Sequence, residues 1–173
     1  MIKGWNRKGQ FYLIAAIIIA TVIIGLTAIL NYSRTEPNIK IYDLKEEIQT
    51  ESRNVFDYGL NAGYGDTQFN TLLIDFTQDY IDYQGDKNLY FVFGNKNNMT
   101  VSGYQKEDKV VSINSMQVTN RAGEFIGSVN PGGADEMTLN IDSLQYNFPV
   151  NKGRNFYFVV SQKSEGGEYI ISG

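Results

Sequence analysis

Hydrophobic residues along this chain come in three successive patterns: an unbroken block, a helical periodicity, and an alternation. The block runs from Gln10 to Ser33 without a charged residue, and Phe11 to Leu30 supplies 20 nearly uninterrupted apolar positions. At a rise of ~1.5 Å per residue such a helix spans ~30 Å, the thickness of a bilayer core. In lipid every backbone amide must bond within its own segment, which forces helix despite the many Ile and Val residues. The pattern therefore predicts a transmembrane helix over residues 10–33. Lys3, Arg7 and Lys8 precede it, so the positive-inside rule puts the N-terminus in the cytoplasm and the chain from about Arg34 outside. A cleaved secretory signal fits poorly, because its apolar core is usually ~7–15 residues and ends in small residues at the cut. A simple signal anchor fits the run.

Pro37 interrupts the pattern and marks either a kink or the first turn of a new helix. Beyond it, Ile41, Leu44, Ile48, Val55 and, less regularly, Phe56 fall on one side of a helix running to about Leu60, which Gly59, Gly63 and Gly65 end. A third helix, capped by Asp66 or Thr67, reaches about Tyr83, with Phe69, Leu72, Leu73, Phe76, Tyr80 and Tyr83 at spacings of three and four.

After Gly85 the chain reads as strands. Leu89 to Phe93 and Met99 to Gln105 flank a polar turn and predict a hairpin, and Lys109 to Val118 is a third strand. Residues 119–136, rich in Gly and holding Pro131, read as a long irregular loop. Apolar positions alternate at Met137, Leu139 and Ile141, then resume at Leu144, Tyr146, Phe148 and Val150. That slip of one requires a bulge or turn at Asp142-Ser143. Two final strands run from Asn155 to Gln162 and from Glu168 to Ser172. Leu89–Phe93 and Phe156–Val160 are apolar on both faces, so their sheet needs a helix on one side. The other side needs a second layer, from this chain or a neighbouring subunit. The division expected is a basic leader at 1–9, the apolar helix at 10–33, a helical stalk with amphipathic helices at 34–86, and an antiparallel β head at 87–173.

Composition narrows the chemistry. The net charge is -4, and with Lys3, Arg7 and Lys8 set aside the remaining 12 basic residues face 19 acidic ones. An acidic body argues against a nucleic-acid partner, which needs a concentrated basic face. Cysteine and histidine are both absent. Disulfides, thiol nucleophiles, Cys or His metal sites and the usual neutral-pH acid/base are excluded with them. The expectation is no enzyme, no catalytic residue, no cofactor and no metal.

The junction between leader and apolar block carries one sharper signal. Lys8-Gly9 stands directly before Gln10-Phe11-Tyr12-Leu13-Ile14. This resembles the class III signal of type IV pilin-like proteins, archaeal ones in particular. The resemblance implies that a leader peptidase reads Lys8 and Gly9, cuts before Gln10, and leaves the hydrophobic helix on the mature chain. Ile14 stands where many members carry Glu, and Phe11 where an aliphatic or small residue is usual. The fold implied is α+β: a long N-terminal hydrophobic (transmembrane) helix continuing to amphipathic helices, then an antiparallel β-rich head. Phe11, Leu13, Ile14, Ile17, Ile18, Val22, Ile24 and Leu26 would form the membrane and assembly surface. The function implied is a structural subunit, anchored in membrane lipid and then assembled into a surface filament with copies of itself or other pilin-like subunits. The alternative is a single-pass anchored binding or scaffold protein that never polymerises.

Other features have plainer readings. Asn98-Met99-Thr100 is an N-glycosylation sequon on the expected hairpin tip, and Asn31-Tyr32-Ser33 is another beside the apolar block. Asp75, Asp79, Asp82 and Asp86 follow helical spacing, which suits a solvated face better than a carboxylate-only active site or a calcium loop. Pro131-Gly132-Gly133-Ala134 lacks the lysine and strand-to-helix setting of a phosphate cradle. The 12 tyrosines suit cross-strand packing better than sugar binding.

Overall fold

The protein is described from a computed structural model that covers residues 17–23, 37–83, 87–164 and 167–173. The chain divides into two units, Met1–Ile39 and Lys40–Gly173.

In the first unit the described part of the apolar block is α1, residues 17–23. Among the described residues no helix is long and apolar enough to cross a membrane. This corrects two expectations, the long N-terminal hydrophobic (transmembrane) helix and the single-pass placement with an extracytoplasmic head. Residues 10–16 and 24–33 of the block lie outside the described residues. The longest helix among the described residues, α2 (Pro37–Asn61), has 25 residues but carries charge throughout, with Glu46, Glu47, Glu51 and Arg53 all exposed. Pro37 is the first described residue of α2, and the residues before it, where a kink or a first turn would be read, lie outside the described ones.

In the second unit α2 ends in a Schellman motif. Gly63 has φ 68°, the Gly63 N–H donates to the Leu60 carbonyl, and the Tyr64 N–H donates to the Gly59 carbonyl. Gly59 does not end the helix, because it lies inside it. A Cβ there would sit 2.5 Å from the Phe69 ring, so the glycine lets the next helix pass close. That helix, α3 (Asp66–Asp82), is capped by Gly65, whose N–H donates to the Gln68 side chain at 3.3 Å. Asp66, expected as a cap, sits in the first turn instead.

Among the described residues nine strands follow, all in antiparallel pairs. They are β1 (Lys87–Asn95), β2 (Asn98–Gln105), β3 (Val111–Ile113), β4 (Met116–Thr119) and β5 (Gly123–Val129), then β6 (Glu136–Ile141), β7 (Leu144–Pro149), β8 (Asn155–Ser164) and β9 (Gly167–Ser172). One sheet has the order β5-β2-β1-β8-β9 and the other β4-β3-β6-β7. The single strand expected over Lys109–Val118 is two, broken at Asn114, whose φ of 50° turns the chain. The loop expected over 119–136 contains β5, which pairs with β2 from Met99↔Val129 to Gln105↔Gly123. Its glycines disguised it: a Cβ on Gly127 would lie 2.9 Å from Val118 Cγ1, so the close passage of β4 requires glycine within a strand. The phase slip at Asp142-Ser143 is the tight β6–β7 turn, with Ile141 paired to Leu144 and Asp142 at φ 51°.

The two continuously apolar strands are covered on both faces, as their pattern requires. From β1, Tyr90 and Val92 join Met99, Val101, Ile113, Met137, Leu139 and Val159 in a core between the sheets. The alternate residues Leu89, Phe91 and Phe93 join Ile41, Ile48, Phe69, Leu73, Ile81 and Phe158 in a core beneath the helices. The order of layers is helices, five-stranded sheet, four-stranded sheet. The second layer over β1 and β8 is therefore the chain's own small sheet, and no neighbouring subunit is needed to cover them.

Candidate functional site

The described part of the expected assembly segment exposes apolar surface. Ile17, Ile18, Ile19 and Val22 are 57%, 59%, 60% and 55% exposed. Thr21 does not interrupt this surface with an orphaned hydroxyl, because its Oγ1 donates to the Ile17 carbonyl at 2.8 Å. Ile17, Ile18 and Val22 are thus the members of the expected set that can be placed. Lys8, Gly9, Gln10, Phe11, Leu13, Ile14, Ile24 and Leu26 lie outside the described residues, as does the sequon at Asn31.

Of the grooves on the helical side of the second unit, two hold residues singled out by the sequence. The first, about 460 Å³, runs between α2 and α3 and is lined by Asp43, Glu47 and Glu51 on one side and Asp79, Tyr80 and Tyr83 on the other. The Tyr80 hydroxyl donates to the Glu51 carboxylate at 2.8 Å. Burial, then the bond to Glu51, pushes this hydroxyl far above its ordinary value of 10.0. Through its contacts with Glu51 and Glu47 the phenol of α3 cross-links to carboxylates of α2. Asp75, Asp79 and Asp82 are exposed on α3, while Asp86 lies outside the described residues. Among the described residues no cluster of three or more His, Cys, Asp or Glu side chains is placed to hold a metal.

The second groove, about 330 Å³, lies where the β1–β2 hairpin tip meets the start of α3 and is lined by Asp66, Thr67, Asn70, Asn95, Asn98 and Arg154. Its walls are tied down. Asn95 Oδ1 accepts from the Asn97 and Asn98 N–H groups and shapes the two-residue turn, while its Nδ2 donates to Asp66 at 3.1 Å. Arg154 stacks 3.9 Å from the Phe69 ring centroid and donates to the Tyr64 carbonyl and to Asp66. Asn98 itself is exposed, whereas Thr100 of the same sequon is 1% exposed and donates to Asn70 Oδ1 at 3.1 Å.

Sequence reading located Asn98 but missed Arg154 and Asn70. Arg154 meets Tyr64 and Asp66 across 90 and 88 residues, and no local spacing announces such partners. The Pro131–Ala134 stretch is a turn closed by the Ala134 N–H on the Pro131 carbonyl. Tyrosines are scattered rather than gathered into a platform: Tyr90 is buried between the sheets, Tyr58 packs on Tyr64, and Tyr157 bonds to the Pro149 carbonyl. No protein-family profile, curated protein or solved structure matches this chain.

Proposed function

We propose that this chain is a pilin-like structural subunit. A leader peptidase cuts it between Gly9 and Gln10, and the retained hydrophobic segment packs against copies of itself, or against other pilin-like subunits, in a filament. The observation that carries this reading is the junction Lys8-Gly9-Gln10 set directly before an uncharged apolar run. The exposed Ile17, Ile18, Ile19 and Val22 support it, because apolar surface that its own chain leaves open favours association at roughly 25 cal/mol per Å² covered. The role assigned is structural. The exposed carboxylates on α3, in a chain without His or Cys, favour that role over a catalytic one.

Mass spectrometry of the N-terminus of protein isolated from its own cells tests the reading. A mature chain beginning at Gln10 is the expected result, and one beginning at Met1, or cut after Ala28, overturns it. Filaments sheared from those cells should contain the Gln10 form. Gly9→Val should leave the leader attached and the filament fraction empty.

A further inference from the structure

We infer that Asn98 is an N-glycosylation site and that the glycan is attached before the β1–β2 hairpin docks against α3. Two facts about the hairpin place it there. The Asn98 carboxamide is exposed at the tip, and it has no hydrogen-bond partner among the described residues, unlike its neighbour Asn95, whose side chain builds the turn. It borders the open groove of about 330 Å³, so a first sugar on Nδ2 meets free space rather than packed side chains.

The order of events follows from the third residue of the sequon. Transfer to asparagine requires the hydroxyl two residues on, because an amide nitrogen is a poor nucleophile and the enzyme recognises both groups together. In the folded protein the two groups are separated by packing. Thr100 is 1% exposed, pairs with Phe93 across the ladder, and gives its hydroxyl to Asn70 of α3. No enzyme reaches that hydroxyl without lifting α3 from the sheet, and Phe69 and Leu73 hold α3 there. The native state therefore presents the acceptor and hides its recognition element. The reaction forms a bond from Asn98 Nδ2 to the anomeric carbon of a sugar. It breaks the bond from that carbon to a lipid-linked phosphate, which leaves with the electron pair, and the amide proton goes to a base on the transferase.

The inference shares with the proposed filament reading only the need for the chain to meet such a transferase. Peptide mass mapping of protein from its own cells should find a sugar mass on the peptide holding Asn98, absent in Asn98→Gln. A bare Asn98 overturns the site. The same spectra read the N-terminus, so a Gln10 start with bare Asn98 sinks this inference alone, and a glycosylated chain starting at Met1 sinks the filament reading alone. For the order, membranes from those cells with their lipid-linked donor are offered refolded, sugar-free protein or a peptide spanning residues 95–102. A hydroxyl reached only through local opening is used in proportion to the open population, so the peptide should react more than about tenfold faster. Equal rates would overturn the order.

Discussion

A Cβ at position 59 would lie 2.5 Å from a ring carbon of Phe69 and 3.3 Å from a methyl of Leu72, so α2 and α3 approach where a hydrogen alone fits. Gly59→Ala should lower unfolding stability by about 1–3 kcal/mol through overpacking, read as a shift in the denaturant midpoint. An unchanged midpoint would mean the Phe69 ring swings aside freely. Asn155 sets a different kind of constraint. Buried at 3% exposure, its Nδ2 lies within reach of the Gly94, Asn151 and Gly153 carbonyls while its Oδ1 accepts from the Asn151 N–H. Asn155→Leu, alike in branching but unable to hydrogen-bond, should cost about 1–3 kcal/mol because it strands those backbone groups. Neither residue announces itself in the sequence. A glycine near a helix end reads as a stop signal and an asparagine after a turn as solvent-facing, and only distant partners reverse those readings.

At the scale of elements, Phe156 is where helices and sheet meet. Its ring lies 6.3 Å from Phe56 of α2, 5.7 Å from Phe76 of α3 and 6.0 Å from Phe91 of β1. Phe156→Ala should cost about 3 kcal/mol and loosen both helices together, seen as lost amide protection in α2 and α3. Ile126 on β5 is 58% exposed, and Ile126→Ala should change stability by less than about 0.5 kcal/mol. The helices were legible because their periodicity is local: Ile41, Ile48, Phe69 and Leu73 are buried as their spacing implies. Tyr83 was misassigned to the apolar face and is 92% exposed, since it stands at the end of α3 where the periodicity no longer binds it to the sheet. The β5 strand was illegible for the opposite reason. Its glycines answer to a neighbouring strand rather than to a turn.

At the scale of the whole molecule, pH links the second unit's layers to its stability. Burial, with the Glu168 and Asp142 charges nearby, pushes the Tyr90 hydroxyl well above its ordinary 10.0, and burial with Glu51 does the same to Tyr80. The folded state thus keeps protons that the unfolded chain releases. Their contribution is complete below about pH 10 and is lost as pH rises beyond it. Stability measured by denaturant should fall above that pH, and Tyr90→Phe should flatten the fall. In a tyrosinate absorbance titration Tyr90 should ionise only as the protein unfolds. On the acid side, Lys109 donates to Glu168 at 2.9 Å and holds that carboxyl below its ordinary 4.5, so its contribution is lost as pH falls through the folded value. Glu168→Gln should make the acid limb shallower.

By itself the sequence determined the order of patterns along the chain: the uncharged block with its Lys8-Gly9-Gln10 junction, two amphipathic helices, and strands apolar on both faces. These are set by spacing within a few residues, where backbone geometry alone converts pattern into element. It also implied that β1 and β8 must be covered twice. Which layer covers them, which glycines lie inside elements, and how far Thr100 is withdrawn beneath α3 while Asn98 stays exposed were decided only by tertiary structure. Such outcomes depend on contacts between residues tens of positions apart, and the same local spacing is compatible with many of them. The N-terminal block shows the limit most clearly. Hydrophobicity reports what a segment avoids, namely water, and the partner that shields it is not written in its own residues.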